Sequence, residues 1–206
     1  MKKLLTTTLK LGFVLLLFGA GFYAYDMSNK IKEENNIQIE DQQMQTESGI
    51  QVELIGDDTL KKKDVDRILN DLDELPESVR NLCTKIIITN KTLDQIDPDA
   101  SPDYDGLAID NGTLILRNDS NAHTLRHEMM HLHDYFARGD GLLVSDDAEF
   151  QQLANELMQK GSSRISTSNP REVYADCGAY FIAQDKTLEM EAKDLYDYFK
   201  TQVFPN

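Results

Sequence analysis

The chain has 206 residues and a formal net charge of −15, from 36 acidic and 21 basic side chains. That length suits one domain with short appendages, and the acidic balance excludes a phosphate-backbone partner, which requires a basic patch. It fits an exported, bacterial-type surface. The chain contains two cysteines, Cys83 and Cys177; with no C-x-x-C pattern they read as small buried residues rather than as a thiolate metal site.

Residues 1–25 open with Lys2, Lys3 and Lys10 ahead of the apolar run Leu11 to Tyr25. This is the layout of a signal peptide or signal anchor. The run would span about 22 Å as a helix, short of the ~30 Å hydrocarbon core, so length favours cleavage. Gly19-Ala20-Gly21 supplies small residues for it, whereas Phe22 to Tyr25 prolong the apolar run and keep an uncleaved anchor in play. Lysines on the N-terminal side place the remainder outside the membrane. The chain is therefore expected to be secreted or tethered at the outer membrane face. Residues 26–48 are polar and read as a disordered tether, because they bury too little surface to offset their ordering entropy. The folded domain is expected over 49–206.

From Gly49 the pattern becomes regular. Ile50 to Ile55 alternate as a strand, and Leu60 to Leu72 carry Val65, Ile68, Leu69 and Leu72 on one helical face. A short helix is expected over Pro76 to Leu82. Lys85 to Thr89, with three consecutive isoleucines, predicts a buried strand. Lys91 to Asp105, rich in Asp and Pro, reads as a loop. Leu107 to Ile109 and Thr113 to Leu116 flank Asn111-Gly112, a hairpin signal in which both turn residues are expected at positive φ. A helix follows from Asp119, Ser120 or Asn121 through Phe136, stopping near Gly139. Three more helices are expected: Asp146 to Lys160 with Asp146 as cap, Asn169-Pro170 to Ala183 with Asn169 as cap, and Leu188 to Thr201. This is an α+β order, a small sheet followed by a helical half.

The helix after Asn121 carries His127-Glu128-Met129-Met130-His131. Residues four apart lie about 40° from superposition on a 3.6-residue helix, so both imidazoles point the same way one turn apart. H-E-x-x-H on a helix is the zinc site and general base of a metallopeptidase. Glu128, about 100° around from His127, reaches an activated water without being a ligand.

A catalytic zinc needs a third protein ligand. Asp134 and Ala137 stand where H-E-x-x-H-x-x-G-x-x-H would place its glycine and last histidine, which excludes that subclass. His133 faces about 200° away from His131. His123, one turn before His127, reads as a rim or capping histidine. The carboxylate candidates are Glu149, Glu156 and Glu172. Glu172 and Asp176 share a helix face, so one can ligate while the other accepts the second N–H of a ligand histidine.

His127 to Tyr135, followed by Ser166-Thr167-Ser168-Asn169-Pro170-Arg171-Glu172-Val173-Tyr174-Ala175-Asp176, resembles the anthrax lethal factor catalytic domain. It is similar also to the small secreted Pro-Pro endopeptidases. The resemblance covers roughly Ile50 to Tyr198 and is most specific in these two helices. It implies a zincin-like α+β domain with an edge hairpin and an active-site helix. It implies Zn²⁺ on His127, His131 and Glu172, Glu128 as base, and Asp176 orienting His127. The substrate implied is an extended peptide held along strand Thr113 to Leu116. One position departs: the family tyrosine seven residues before the ligand glutamate, a hydrogen-bond donor to the tetrahedral intermediate, is Ile165 here. Tyr174, Tyr135, Ser166 or a loop residue are the substitutes to consider. The readings are an exported zinc endopeptidase or, given Ile165, a weak or inactive zinc-binding interaction module at the cell surface. Net charge would disfavour acidic peptides.

Overall fold

A computed structural model describes residues 43–205. The signal segment 1–25 and residues 26–42 of the expected tether lie outside the described residues. The rest of that tether differs from expectation: Gln43–Gln45 form a short exposed strand, β1. It pairs antiparallel with β2, Gln51–Ile55, after a turn at Gly49 with φ 88°.

The chain then runs α1 (Lys62–Asp73), α2 (Glu77–Arg80), β3 (Lys85–Thr89), β4 (Gly106–Ile109), β5 (Thr113–Arg117) and α3 (Ala122–Phe136). The helical half follows: α4 (Ala148–Lys160), α5 (Pro170–Ile182), α6 (Lys186–Glu191) and α7 (Lys193–Tyr198). The five-stranded mixed sheet has order β1-β2-β3-β5-β4, parallel at β2–β3 and β3–β5 and antiparallel at both edges. The architecture is mixed α and β, compatible with α+β.

Strand side chains alternate between faces. Val52, Leu54, Ile86, Ile88, Leu114 and Leu116 share one core with α1 and α3 residues such as Ile68, Leu72, Met129 and Leu132. Ile87 and Ile115 point the other way and meet Leu93, Ile96 and Ala100. The Asp- and Pro-rich segment after β3 is thus a loop, with one short 3₁₀ turn at Leu93–Gln95, that covers the second sheet face. Three consecutive isoleucines suit β3 because both of its faces are buried.

The hairpin closes by a three-residue loop. Gly112 N–H donates to Ile109 O at 3.0 Å, and Ile109 pairs with Thr113. Gly112 alone takes positive φ, 85°, in place of the expected Asn-Gly pair, because the third loop residue absorbs the reversal. The hairpin also places β5 between β3 and β4, so β4 is the sheet edge. This corrects the expectation that Thr113 to Leu116 line the cleft edge.

A second core, containing Phe150, Leu157, Val173, Tyr174, Leu188 and Phe199, joins α4 to α7 around α5. Asp147 rather than Asp146 caps α4: its carboxylate accepts from Glu149 N at 3.0 Å and Phe150 N at 3.2 Å. Asp146 sits inside a 3₁₀ turn and cannot adopt the extended cap geometry. The expected last helix is broken at Ala192 (φ −147°, ψ 66°) into α6 and α7, then closes in a π turn at Phe199–Val203. Helices α3 and α5 cross where Gly178 meets Met130; a β-carbon on Gly178 would stand 2.7 Å from Met130 Cγ. That close crossing brings the two motif helices together. Cys83 and Cys177 are both free and buried, in different cores. Among the described residues no helix is long and apolar enough to cross a membrane.

Candidate metal centre and cleft

Two caps set the site helices in register. Asn121 Oδ1 accepts from His123 N at 2.8 Å and Thr124 N at 3.1 Å, starting α3. Asn169 Oδ1 accepts from the backbone N–H of Glu172 at 3.1 Å, with Pro170 in the first turn of α5 where its missing donor costs nothing. The second cap therefore holds the backbone of a site residue itself.

Across the α3–α5 crossing, His127 Nε2 lies 3.2 Å from His131 Nε2 and 3.1 Å from Glu172 Oε2. His131 Nε2 is 3.5 Å from Glu172 Oε1. Ligands about 2.0–2.1 Å from a tetrahedral ion stand roughly 3.3 Å apart, so the two imidazole nitrogens and the Glu172 carboxylate have the spacing of a metal cage. His127, His131 and Glu172 form one of two groups able to hold an ion among the described residues; His123, His127 and Asp176 form the other.

Asp176 connects the two groups. His127 Nδ1–H donates to Asp176 Oδ1 at 2.7 Å, leaving Nε2 directed at Glu172 and His131. His123 Nε2 approaches the same Oδ1 at 3.2 Å, and Ser166 N–H donates to Oδ2 at 2.6 Å. His131 has no such support among the described residues: its Nδ1 is buried and without a hydrogen-bond partner there. Burial opposes charge on His127, yet the carboxylates of Asp176 and Glu172 outweigh it and lift the imidazole to about 10. Hydrogen bonds from His127 and His131 hold Glu172 well below the usual carboxylate range. Burial would raise Asp176, but His123, His127 and the Ser166 N–H pull it well down. The cluster thus stabilises positive charge at the point where a cation would sit.

Glu128 lies beside the cage, 8% exposed, against the start of β4. Burial pushes its carboxyl up, while the two histidines and the Ala108 backbone N–H pull it back. Its space exists because residue 106 is glycine: a β-carbon there would meet Glu128 Cγ at 2.6 Å. An open cleft of about 960 Å³ contains these groups, walled by β4 on one side and by α3 and α5 on the other.

His133 points into the helical half, accepting from or donating to Tyr174 OH at 2.8 Å, and burial lowers it to about 4. Glu149 and Glu156 are exposed on α4 and join neither group. Ile165 is a core residue, 3% exposed. Of its substitutes, Tyr174 is fully buried, and Ser166 Oγ pairs with Ser168 Oγ at 3.3 Å. Tyr135 lines the cleft beside Arg171, whose Nη2 donates to its hydroxyl at 2.5 Å. Sequence reasoning had no role for Gly106 or Arg171. A signal for the Tyr135 position was present: His123, His127, His131 and Tyr135 recur every four residues along one stripe of α3. No protein-family model matches this chain, and no curated protein matches it.

Proposed function

We propose that the chain is an exported zinc-dependent endopeptidase. The observation that carries this reading is the cage of His127, His131 and Glu172 with Glu128 beside it in an open cleft. Two imidazole nitrogens and one carboxylate suit Zn²⁺ with a coordination position left open. The fold reading, a zincin-like domain, rests on the same two-helix arrangement beneath a sheet edge.

Bound zinc would act as a Lewis acid and lower the pKa of water in its open position. Glu128, its basicity raised by burial, takes a proton from the attacking water and delivers it to the leaving amine. Asp176, by accepting from His127 Nδ1, keeps Nε2 free to ligate. The free edge of β4 offers backbone groups to a peptide in extended conformation, which would pair along it as an added strand. The signal-like segment and acidic surface support an extracytoplasmic location, secreted or tethered.

A second reading is favoured by Ile165. Its burial leaves that position without a hydroxyl donor, which suits a zinc-binding interaction module of weak or absent turnover. One experiment separates the two: zinc content and peptide-library cleavage by the purified chain beside Glu128→Gln. One zinc per chain with cleavage abolished in the variant supports the peptidase. Equal cleavage by both proteins sinks the mechanism, and zinc without cleavage by either favours the module.

A further inference from the structure

We propose that Arg171 is a carboxylate-recognising subsite next to the metal cage, so that the cleft prefers peptides with an acidic group close to the scissile bond. The proposal rests on the peptide-cleft reading above and names the substrate class it would take.

Position comes first. Arg171 precedes Glu172 on α5, and Tyr135 follows His131 by one turn on α3. The two helices are therefore bridged twice in succession, by His131–Glu172 at 3.5 Å and by Tyr135–Arg171 at 2.5 Å. Helical side chains lean toward the N-terminus, over the preceding turn, so the Tyr135 ring leans toward the cage. Both Tyr135 and Arg171 line the cleft.

The guanidinium is also braced before any ligand arrives. Its carbon lies 5.0 Å from the Tyr135 ring centroid while Nη2 bonds the hydroxyl of the same residue. Its Nε stands 3.9 Å from Asp134 Oδ2. Asp134 is fully buried, and its two oxygens already accept from Ser145 N and Ser145 Oγ, each at 2.7 Å. Arg171 is thus steered by a carboxylate that is committed elsewhere. A planar guanidinium held on two sides loses little entropy on engaging a ligand.

Most of its donors are unspent. A guanidinium has five N–H groups, and among the described residues Arg171 makes the one hydrogen bond to Tyr135. Nε is buried and has no hydrogen-bond partner among the described residues, although the side chain is 43% exposed overall. Its nearest carboxylate, Asp134, stands at 3.9 Å, beyond hydrogen-bond distance. Among the described residues it is the one Lys or Arg lining the cleft. A carboxylate from the substrate would complete it through a forked pair of charge-assisted bonds. The net-charge expectation that acidic peptides are disfavoured is then reversed locally, since net charge is screened over about 8–10 Å and a direct pair is not.

The test is peptide binding to the zinc-loaded full chain carrying Glu128→Gln, followed by fluorescence polarisation. Acetylated, amidated peptides place Glu, Gln or Lys at one position at a time, and a neutral series compares free and amidated C-termini. At one position Glu should bind about tenfold tighter than Gln, or the free terminus should bind tighter than the amide, which tells side chain from chain end. Arg171→Gln should reduce that ratio to about twofold or less, and Arg171→Glu should turn the preference to Lys. Tyr135→Phe, which keeps the ring but releases Nη2, should narrow it with zinc content unchanged. Equal or absent binding of Glu and Gln peptides together with no gain from a free C-terminus, or a preference that survives Arg171→Gln, overturns the subsite. Zinc content of the same preparations, and turnover by the parent chain with Glu128 intact, keep the two claims apart. Turnover without a carboxylate preference sinks the subsite alone, and a preference dependent on Arg171 without turnover sinks only the peptidase.

Discussion

Gly106→Ala is the sharpest test of Glu128. The added methyl would stand 2.6 Å from Glu128 Cγ, 3.0 Å from its Oε1 and 3.0 Å from Leu116 Cδ2. Carbon pairs relax at about 3.5–4.0 Å, so roughly 1 Å must be found. The backbone is poorly placed to give it, because Gly106 pairs with Leu116 in the β4–β5 ladder and Leu116 is fully buried. The Glu128 side chain must therefore swing. A displacement of about 1 Å in a reacting group costs on the order of 10²-fold in rate, while overpacking costs about 1–3 kcal/mol of stability. The three atoms nearest the new methyl group belong to Glu128 and Leu116 rather than to a cage residue, so zinc content should stay at the level of the parent. The assay is kcat on a cleaved library peptide, with zinc content and a thermal melt on the same preparation. A variant that keeps its zinc, melts within a few degrees of the parent and retains full kcat would refute both the placement of Glu128 and its role as base.

Asp176→Asn should weaken zinc by about 10–100-fold, read by competition with a chelating dye; unchanged affinity would remove Asp176 from the support of His127. In the metal-free chain His127 is raised from 6.5 to about 10. Its contribution to stability is then full below about pH 6.5 and drains away as pH climbs toward 10. Melts of the metal-free protein should decline across that interval, and His127→Gln should flatten the decline. His133 is lowered from 6.5 to about 4, so the unfolded chain binds the extra proton first. Stability should fall as pH drops from 6.5 to 4, by up to about 3 kcal/mol at 1.36 kcal/mol per pH unit. Denaturant titrations of His133→Gln should lack that component, and an unaltered slope would contradict the assignment.

Local periodicity made much of this chain legible. Alternating apolar residues located β2 and the three isoleucines of β3, and Asn121 and Asn169-Pro170 marked where the two site helices begin. His127 and His131 one turn apart, and Glu172 and Asp176 one turn apart, follow from helix geometry alone, since each pair lies within five residues of sequence. What required the tertiary structure is long-range. Parallel pairing of β3 with β5 pushes β4 to the sheet edge, and no local signal distinguishes the two hairpin strands. The choice of Asp147 over Asp146 as cap depends on which residue the preceding turn leaves extended. The residues at Gly106, Tyr135 and Arg171 acquire meaning only from partners 22 to 36 positions away. The sequence by itself determined that His127 and His131 share one helix face and that Glu172 and Asp176 share another, because such spacing is a property of one helix at a time. Only the crossing of α3 and α5 beneath β4 decided that they meet, that a glycine makes room for Glu128 beside them, and that a braced arginine faces the same cleft, because those distances arise from packing.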